Sequence, residues 1–278
     1  MQRNTHHDIK NKKTALITGA SSGIGKAFAE VFAQNGFNLV LTARRESRLQ
    51  ALGNSLEQRH NTRCLVIPLD LADPATPEAL FKQAADHGVI IDALVNNAGY
   101  GVPGSFTDHP WKTHADFMQV LMTAVAHLCY LFLPGMIERG YGRIINVSSL
   151  NGIVPGSPFQ TLYSGAKSFV VQLSQTLSME VKHSGVNVTA VCPGLTYSEF
   201  HDVTGTREQI GNIARYRWMD AETVAGEGYD AVMKGEPLCI NGRFNKLAYL
   251  LAKWLPHKKA LDMVARTSEK MRSDDTVR

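Results

Sequence analysis

The sequence predicts a doubly wound α/β fold, in which one parallel sheet of about seven strands carries helices on both faces. Short runs of branched apolar residues alternate with longer amphipathic segments through most of the chain. Each run is apolar on both faces, which is typical of a buried parallel strand. The runs occupy residues 15–17, 39–41, 65–67, 93–95, 144–147 and 186–191.

Segments of helical length separate these runs. Residues 26–35 and 161–183 are followed closely by Gly36 and Gly185, and glycine just past a helix is a common stop. Further along, Asp220 is predicted to cap a helix that runs to about Lys234. Residues 238–240 are predicted to form a last strand, and a long helix is expected from about Phe244.

The chain of 278 residues, 44% of them hydrophobic, can form this fold as one domain. We expect a disordered N-terminal arm over residues 1–12 and a single Rossmann-type domain over residues 13–242. Within that domain, residues 193–220 are predicted to form a substrate lid. Residues 243–278 are expected to form a C-terminal amphipathic helical extension. The apolar side chains of the lid are Phe200, Ile210, Ile213, Tyr216 and Trp218.

Composition excludes several classes of function. Charged residues make up 19% and the net charge is +4, which gives no signal for a nucleic-acid partner. The four cysteines are far apart, so neither a disulfide framework nor a metal site is predicted, and a cytoplasmic location is expected. The N-terminus has no apolar core of a secretory signal, and we expect no stretch of roughly 18 uncharged apolar residues.

The first motif is a glycine-rich turn between a predicted strand and a predicted helix. Gly19, Gly23 and Gly25 permit a sharp backbone turn, and the helix N-terminus offers free N–H groups to a pyrophosphate. The spacing G-x-x-x-G-x-G differs from the commoner G-x-G-x-x-G, and a plain tight turn is the alternative. The strand–turn–helix context favours a dinucleotide.

The end of the second strand indicates which dinucleotide is bound. An acid roughly 20 residues after the turn would hold the ribose hydroxyls of NAD. Ala43 stands there instead and Arg44 and Arg45 follow it. Because a guanidinium matches a phosphate, Arg44 is predicted to contact the 2′-phosphate of NADP(H). A solvated basic helix start is the alternative.

Tyr163 and Lys167 are four residues apart at the start of a predicted helix and share one face of it. A neighbouring ammonium favours the phenolate, so we expect Lys167 to lower the tyrosine pKa from about 10 and make it a better proton donor. Ser148 and Ser149 follow a predicted strand. A hydroxyl at this edge of a parallel sheet can hydrogen-bond a substrate carbonyl, and a serine that only caps a turn is the alternative.

Together these motifs resemble the classical short-chain dehydrogenase/reductase family over residues 14 to about 200. Residues 18–25 match its cofactor turn and residues 96–99 match its sheet-stabilising motif. The resemblance implies that Ser149 orients the substrate carbonyl, Tyr163 is the acid/base and Lys167 binds the nicotinamide ribose. It also implies a set of cofactor contacts. These are Gly19, Ser21, Ser22, Gly23, Ile24, Gly25, Arg44, Asp70, Leu71, Asn97, Ala98, Gly99, Tyr163, Lys167, Pro193, Gly194, Thr196 and Ser198.

Two features depart from the family pattern. Leu121 stands where the family usually has a catalytic asparagine that holds a proton-relaying water, and leucine cannot do this. The interval between Ser149 and Tyr163 is one residue longer than the commonest spacing. This leaves open whether Ser148 or Ser149 is the catalytic hydroxyl, and Ser149 is favoured.

The sequence therefore predicts an NADP(H)-dependent oxidoreductase that transfers a hydride between nicotinamide and a carbonyl or alcohol of an apolar small molecule. The alternative, supported by Leu121, is a cofactor-binding protein with weak or no catalysis. The resemblance suggests a homodimer or homotetramer through helices at about 111–138 and 161–183. The extension is expected to pack over the cleft or at a subunit seam, and membrane contact is the less favoured interpretation.

Overall fold

A computed structural model describes residues 12–102, 104–156, 158, 160–199, 217–256, 258–262 and 264. Most of the expected N-terminal arm and the far end of the C-terminal extension lie outside these residues. The interior of the lid also lies outside them, and with it the predicted lid side chains Phe200, Ile210, Ile213 and Tyr216.

Within the described residues, seven parallel strands form one sheet in the order β3-β2-β1-β4-β5-β6-β7. The strands are β1 (Thr14–Thr18), β2 (Asn38–Thr42), β3 (Cys64–Val66), β4 (Ala93–Asn96), β5 (Gly142–Val147), β6 (Val186–Cys192) and β7 (Leu238–Ile240). The strand order reverses between β1 and β4, and in such sheets ligands bind outside the carboxyl ends at that point. The predicted doubly wound parallel sheet is confirmed.

Helices cover both faces of the sheet. They are α1 (Gly23–Gln34), α2 (Glu46–His60), α3 (Thr76–Asp86), α4 (Trp111–Met118), α5 (Ala124–Glu138), α6 (Tyr163–Glu180), α7 (Ala221–Lys234) and α8 (Arg243–Trp254). The first of these begins at Gly23, inside the glycine-rich turn and three residues earlier than predicted. Asp220 caps α7 as predicted, since its carboxylate accepts from the backbone N–H of Thr223 at 2.6 Å.

Two apolar layers enclose the sheet and explain why its strands are apolar on both sides. Phe28 and Phe32 of α1 are buried in the layer on one face. Phe117 and Leu128 are buried in the layer on the other face. All five residues of β1 are buried between the two layers. The carboxyl end of this strand is therefore held rigidly where the glycine-rich turn begins.

A turn of π-helix, Gln119–Thr123, joins α4 to α5 and makes a continuous helix from Trp111 to Glu138. By length and composition this helix is apolar enough to cross a membrane, since an 18-residue stretch of it has a mean hydropathy of 1.9. The expectation that the chain has no apolar stretch long enough to span a membrane is therefore wrong. The inner face of the helix, which includes Phe117, Leu121 and Leu128, is buried in the core and packs on the sheet.

The two ends of the lid pair with each other at its base. The backbone N–H of Tyr197 donates to the carbonyl of Met219 at 2.9 Å, and the N–H of Met219 donates to the carbonyl of Leu195 at 2.9 Å. The rings of Tyr197 and Trp218 stack at 4.7 Å. Helix α8 starts beside this base, where the Asn245 side chain lies against Gly194. The two described ends of residues 193–220 therefore meet close to the carboxyl ends of the strands.

Candidate active site

The glycine-rich turn joins β1 to α1 along a path that only glycine fits. Gly19 and Gly23 have φ angles of +66° and +53°. A Cβ atom on Gly25 would lie under 3.0 Å from the carbonyl oxygen of Gly19, closer than side chains pack. The turn leaves the first N–H groups of α1 facing the reversal point of the sheet, where they can bind a pyrophosphate.

The turn is tied to the end of β4 by Thr18 and Asn97. The Thr18 hydroxyl accepts from the backbone N–H groups of Asn97 and Ala98 at 2.9 and 3.0 Å. In return, the Asn97 amide donates to the carbonyl of Thr18 at 3.0 Å. Asn97 therefore lies against the glycine-rich turn, and its amide supports the backbone of the turn.

A buried polar chain lies one residue deeper, beneath the same edge of the sheet. Asn96 donates from Nδ2 to Oδ1 of Asn146 at 2.8 Å, and Asn146 donates from Nδ2 to Oγ of Ser174 at 3.0 Å. The chain links β4, β5 and α6, and its three residues are almost fully buried. Because buried amides need partners, this network fixes α6 against the sheet. The motif at residues 96–99 thus has a structural role as well as a cleft position.

Arg45, and not Arg44, lies on the glycine-rich turn. Arg45 donates from Nη2 to the hydroxyls of Ser21 and Ser22 at 3.0 and 2.8 Å. The side chain of Arg44 is 72% exposed, and its guanidinium is 4.0 Å from a carboxylate oxygen of Asp70. The Thr42–Arg45 motif identified a basic pair, but it could not tell which side chain turns inward. Sequence reasoning therefore missed the contact of Arg45 with the turn. Arg45 is the residue just before α2.

The three residues of the predicted catalytic group lie together where β5 ends and α6 begins. A hydrogen bond joins the side chains of Tyr163 and Ser149. Lys167 donates from Nζ to the carbonyl of Val147 at 2.9 Å, and this nitrogen is 5.7 Å from the centre of the Tyr163 ring. The spacing of four residues places the ammonium and the phenol on one helix face, as the sequence indicated.

The two candidate serines face different ways. Ser148 is buried and donates its hydroxyl to the backbone carbonyl of Lys167 at 2.7 Å. Ser149 points towards Tyr163, and its Oγ accepts from the backbone N–H of Asn151 at 3.2 Å. Ser148 thus anchors α6, whereas Ser149 is the hydroxyl that lies beside the phenol.

Burial controls the protonation of the site. It raises the pKa of Tyr163 to about 12, and the hydrogen bond with Ser149 only partly opposes this. Burial also lowers the pKa of Lys167 to about 8. The expectation that Lys167 lowers the tyrosine pKa is therefore wrong for this arrangement. The ammonium is bonded to Val147, and loss of water around the phenol outweighs its attraction.

Leu121 lies in the π-helical turn beside this group. A Cβ atom built on Gly99 would be 3.7 Å from both Cγ of Leu121 and Nζ of Lys167, so the leucine and the ammonium both border the space beside Gly99. Leu121 is 1% exposed and offers no hydrogen bond. Turns of π-helix inside α-helices are frequent at functional sites. Leu121 therefore contributes only apolar surface at this point.

The remaining predicted contacts follow the carboxyl edge of the sheet. Asp70 is half exposed after β3, and Leu71 beside it is buried. After β6, the carbonyl of Pro193 accepts from the backbone N–H of Leu150 at 2.8 Å, and Thr196 bonds the carbonyl of Gly194 at 3.1 Å. Among the residues described, no group of histidine, cysteine or acidic side chains could hold a metal ion.

Comparison with known proteins agrees with this architecture. The family model described as short chain dehydrogenase matches residues 13–209. The chain belongs to the short-chain dehydrogenase family. It is 32% identical over 226 residues to a D-beta-hydroxybutyrate dehydrogenase of Rhizobium meliloti, covering 81% of this chain and 84% of that one.

Solved structures give the same result. A short-chain dehydrogenase from Sphingobium yanoikuyae in complex with NADPH matches with a TM-score of 0.76 and 28% identity, over 88% of this chain and 96% of that one. A family member from Burkholderia phymatum in complex with NAD shares the fold at 24% identity, with a TM-score of 0.77 over 86% and 92% of the two chains. The chain is thus an oxidoreductase of a family that acts on alcohol and carbonyl groups with a pyridine nucleotide.

Proposed function

We propose that this protein is an NADP(H)-dependent reductase of apolar carbonyl compounds, able to oxidise the corresponding alcohols. One observation carries the proposal: Ser149, Tyr163 and Lys167 lie together at the same carboxyl edge of the sheet as the glycine-rich turn, which Arg45 lines. A proton donor and a dinucleotide cradle thus share one edge of the sheet.

The residues of the turn fit a nicotinamide dinucleotide phosphate. Gly19, Gly23 and Gly25 allow the tight backbone path that brings the start of α1, with its free N–H groups, to a pyrophosphate. Ser21 and Arg45 offer a hydroxyl and a guanidinium to the 2′-phosphate, which NAD lacks. The predicted contacts of Asp70 and Leu71 with the adenine, and of Pro193, Gly194, Thr196 and Ser198 near the nicotinamide, remain part of this proposal.

The catalytic roles follow from the chemistry of the three side chains. The bound cofactor supplies the hydride. Ser149 donates a hydrogen bond to the substrate carbonyl, and Tyr163 gives that oxygen its proton. With a pKa raised to about 12, the tyrosine keeps its proton at neutral pH and can serve as the acid. Lys167 carries the positive charge that favours the developing phenolate.

The substrate class is proposed from the apolar surroundings of the site. Tyr197 and Trp218 stack at the base of the lid, and Tyr100 packs edge-on against Phe117 near the catalytic helix. Such a surface binds an acyl, steroid-like or small aromatic carbonyl better than a sugar. Relatives act on varied substrates, so the compound itself is a matter for the experiment.

The second candidate is a cofactor-binding protein with little turnover, and Leu121 favours it. The residue borders the same space beside Gly99 as the ammonium of Lys167, and its side chain cannot hold a relay water. Because Tyr163 and Lys167 are both present and Lys167 is buried, the enzymatic function is the stronger proposal. A protein that only bound the cofactor would have no chemical need for the phenol of Tyr163 as a proton donor beside Lys167.

We also propose a homo-oligomer, in the cytoplasm. An apolar groove of about 620 Å³ runs between α5 and α6, lined by Tyr130, Leu133, Ile137, Leu173 and Leu177. Tyr130 is 75% exposed there. A second copy would cover this groove, as large exposed apolar patches are typical of interfaces. No nucleic-acid partner is proposed, and membrane contact through α8 is less favoured than a subunit contact.

The test is oxidation of NADPH with a panel of apolar ketones and aldehydes. Wild-type protein is expected to turn over at least one of them, and Tyr163→Phe is expected to lose about two to four orders of magnitude in kcat. Binding of NADPH without turnover of any compound would favour the second candidate.

A further inference from the structure

A carboxylate from the lid bridges two arginines at the mouth of the cofactor turn. Glu199 accepts from Nη1 of Arg45 at 2.8 Å and from Nη1 of Arg48 at 2.6 Å. These hydrogen bonds hold the pKa of Glu199 below its usual value. The carboxylate is therefore charged at neutral pH, and it neutralises the basic end of α2.

The contact joins segments that are far apart in sequence. Glu199 is separated from Arg45 by 154 residues and from Arg48 by 151. Its neighbour Ser198 lies directly over the glycine-rich turn, because a Cβ atom on Gly23 would be 3.0 Å from the Cβ of Ser198. The segment after β6 thus crosses the turn, and Glu199 contacts Arg45 and Arg48 beyond it.

The donors of Arg45 explain what this carboxylate does. Nε and Nη2 of the guanidinium donate to the hydroxyls of Ser21 and Ser22, and Nη1 is the nitrogen that meets Glu199. A guanidinium has five N–H groups. With Nε and Nη2 bonded to the serines, the Nη1 side of Arg45 is the side that binds an oxyanion. A 2′-phosphate at this turn would need the same edge, and it would face a second negative charge there.

We propose that Glu199 is a specificity-determining residue that competes with the 2′-phosphate of NADP(H) for Arg45 and Arg48. Its carboxylate weakens binding of NADP(H) and leaves binding of NAD(H), which has no charge at that position, almost unchanged. The proposal rests on the proposed function, in which Arg45 receives the 2′-phosphate.

Isothermal titration with NADPH and with NADH tests this, using wild-type protein, Glu199→Gln and Glu46→Gln. Glu46 is a matched control, since it lies next to Arg45 at the start of α2, is exposed, and forms no ion pair within the described residues. Glu199→Gln is expected to tighten NADPH binding about three- to tenfold, since two partly exposed ion pairs are released. The NADH affinity of Glu199→Gln, and both affinities of Glu46→Gln, should change less than about twofold.

Salt gives a second readout. The gain in NADPH affinity should shrink between 50 and 500 mM NaCl, about a tenfold change in ionic strength, because exposed charges are screened. Unchanged or weaker NADPH binding by Glu199→Gln overturns the proposal. So does a loss of NADH affinity, because Glu199 would then bind the ribose hydroxyls.

Arg45→Ala tests the phosphate subsite separately from the role of Glu199. If this variant leaves NADPH affinity unchanged, the phosphate subsite of the proposed function is wrong. If Arg45→Ala weakens NADPH binding while Glu199→Gln has no effect, only the role of Glu199 is wrong.

Discussion

Arg45 donates from Nη2 to the hydroxyl of Ser22 at 2.8 Å, which fixes a guanidinium beside the residue that begins α1. The bond aligns a permanent positive charge with the positive end of the helix dipole. Such an arrangement favours an anion with more charge than a pyrophosphate alone would bring. It is the basis for preferring NADP(H) over NAD(H).

The first prediction compares the NADPH affinities of two variants, in which Arg45 or Arg44 is replaced by alanine. Arg45→Ala should weaken NADPH binding about 10- to 100-fold, because a charge-assisted hydrogen bond contributes roughly 1.5–3 kcal/mol. Arg44→Ala should weaken it less than about threefold, since its side chain is mostly in water. Fluorescence titration of both variants measures the difference. A larger effect for Arg44→Ala would restore the assignment that the sequence favoured.

Gly25 provides a prediction about the turn itself. Gly25→Ala places a methyl group against the carbonyl oxygen of Gly19, so it should lower the free energy of unfolding by more than about 2 kcal/mol and abolish cofactor binding. Gly226→Ala in α7 is the matched control. A Cβ atom there meets nothing within 4 Å, and the change should stabilise the protein by up to about 1 kcal/mol. Equal unfolding midpoints for the two variants in urea would contradict this.

Lys167→Met should stabilise the protein while it removes activity. Burial lowers the pKa of this lysine to about 8 from its usual 10.5, so at pH 7 the folded protein bears the cost of a buried charge. Removal should add about 2 kcal/mol to the free energy of unfolding, after the lost hydrogen bond to Val147 is subtracted.

The pH dependence of that gain has a definite sign. Between pH 8 and about 10.5 the unfolded lysine holds a proton that the folded lysine has lost, so wild-type stability rises with pH in this window. The advantage of Lys167→Met should therefore be full below pH 8 and shrink by pH 10. A gain that stays constant from pH 7 to pH 10 in urea unfolding would mean that the ammonium is not desolvated.

Leu121→Asn tests whether the apolar side chain limits turnover. An amide beside Lys167 can hold a water, so kcat should rise severalfold, while loss of apolar burial should destabilise the protein by about 2 kcal/mol or more. Leu128 is buried in the same layer about two turns further along the helix. Leu128→Asn should therefore lower the free energy of unfolding by a similar amount without any rise in kcat. An unchanged kcat in Leu121→Asn would show that protons reach the site by another route.

The groove between α5 and α6 carries a prediction about assembly. Tyr130→Glu should shift the protein to a smaller species in light scattering at about 10 μM, because a charge would be buried in the subunit contact. Trp111→Glu changes another exposed aromatic residue of the same long helix, outside the groove, and should leave the mass unchanged. Identical masses for both variants and the wild type would exclude this groove as the interface.

How much the sequence predicts depends on the range of the interaction. The strands could be predicted because both of their faces are apolar, and the pairing of Tyr163 with Lys167 follows from helical spacing. The choice between Arg44 and Arg45 could not, since it depends on backbone angles just before α2. The raised pKa of Tyr163 depends on burial by distant elements, and Glu199 reaches Arg45 across 154 residues.

The central claim is that this site moves a hydride from NADPH to a carbonyl whose oxygen takes the proton of Tyr163. Turnover of a reactive ketone with NADPH deuterated at the transferable position measures it directly. Wild-type protein should give an alcohol with one deuterium on the former carbonyl carbon, and Tyr163→Phe should react at a rate at least about 100-fold lower. Unlabelled alcohol, or an equal rate from Tyr163→Phe, would contradict it.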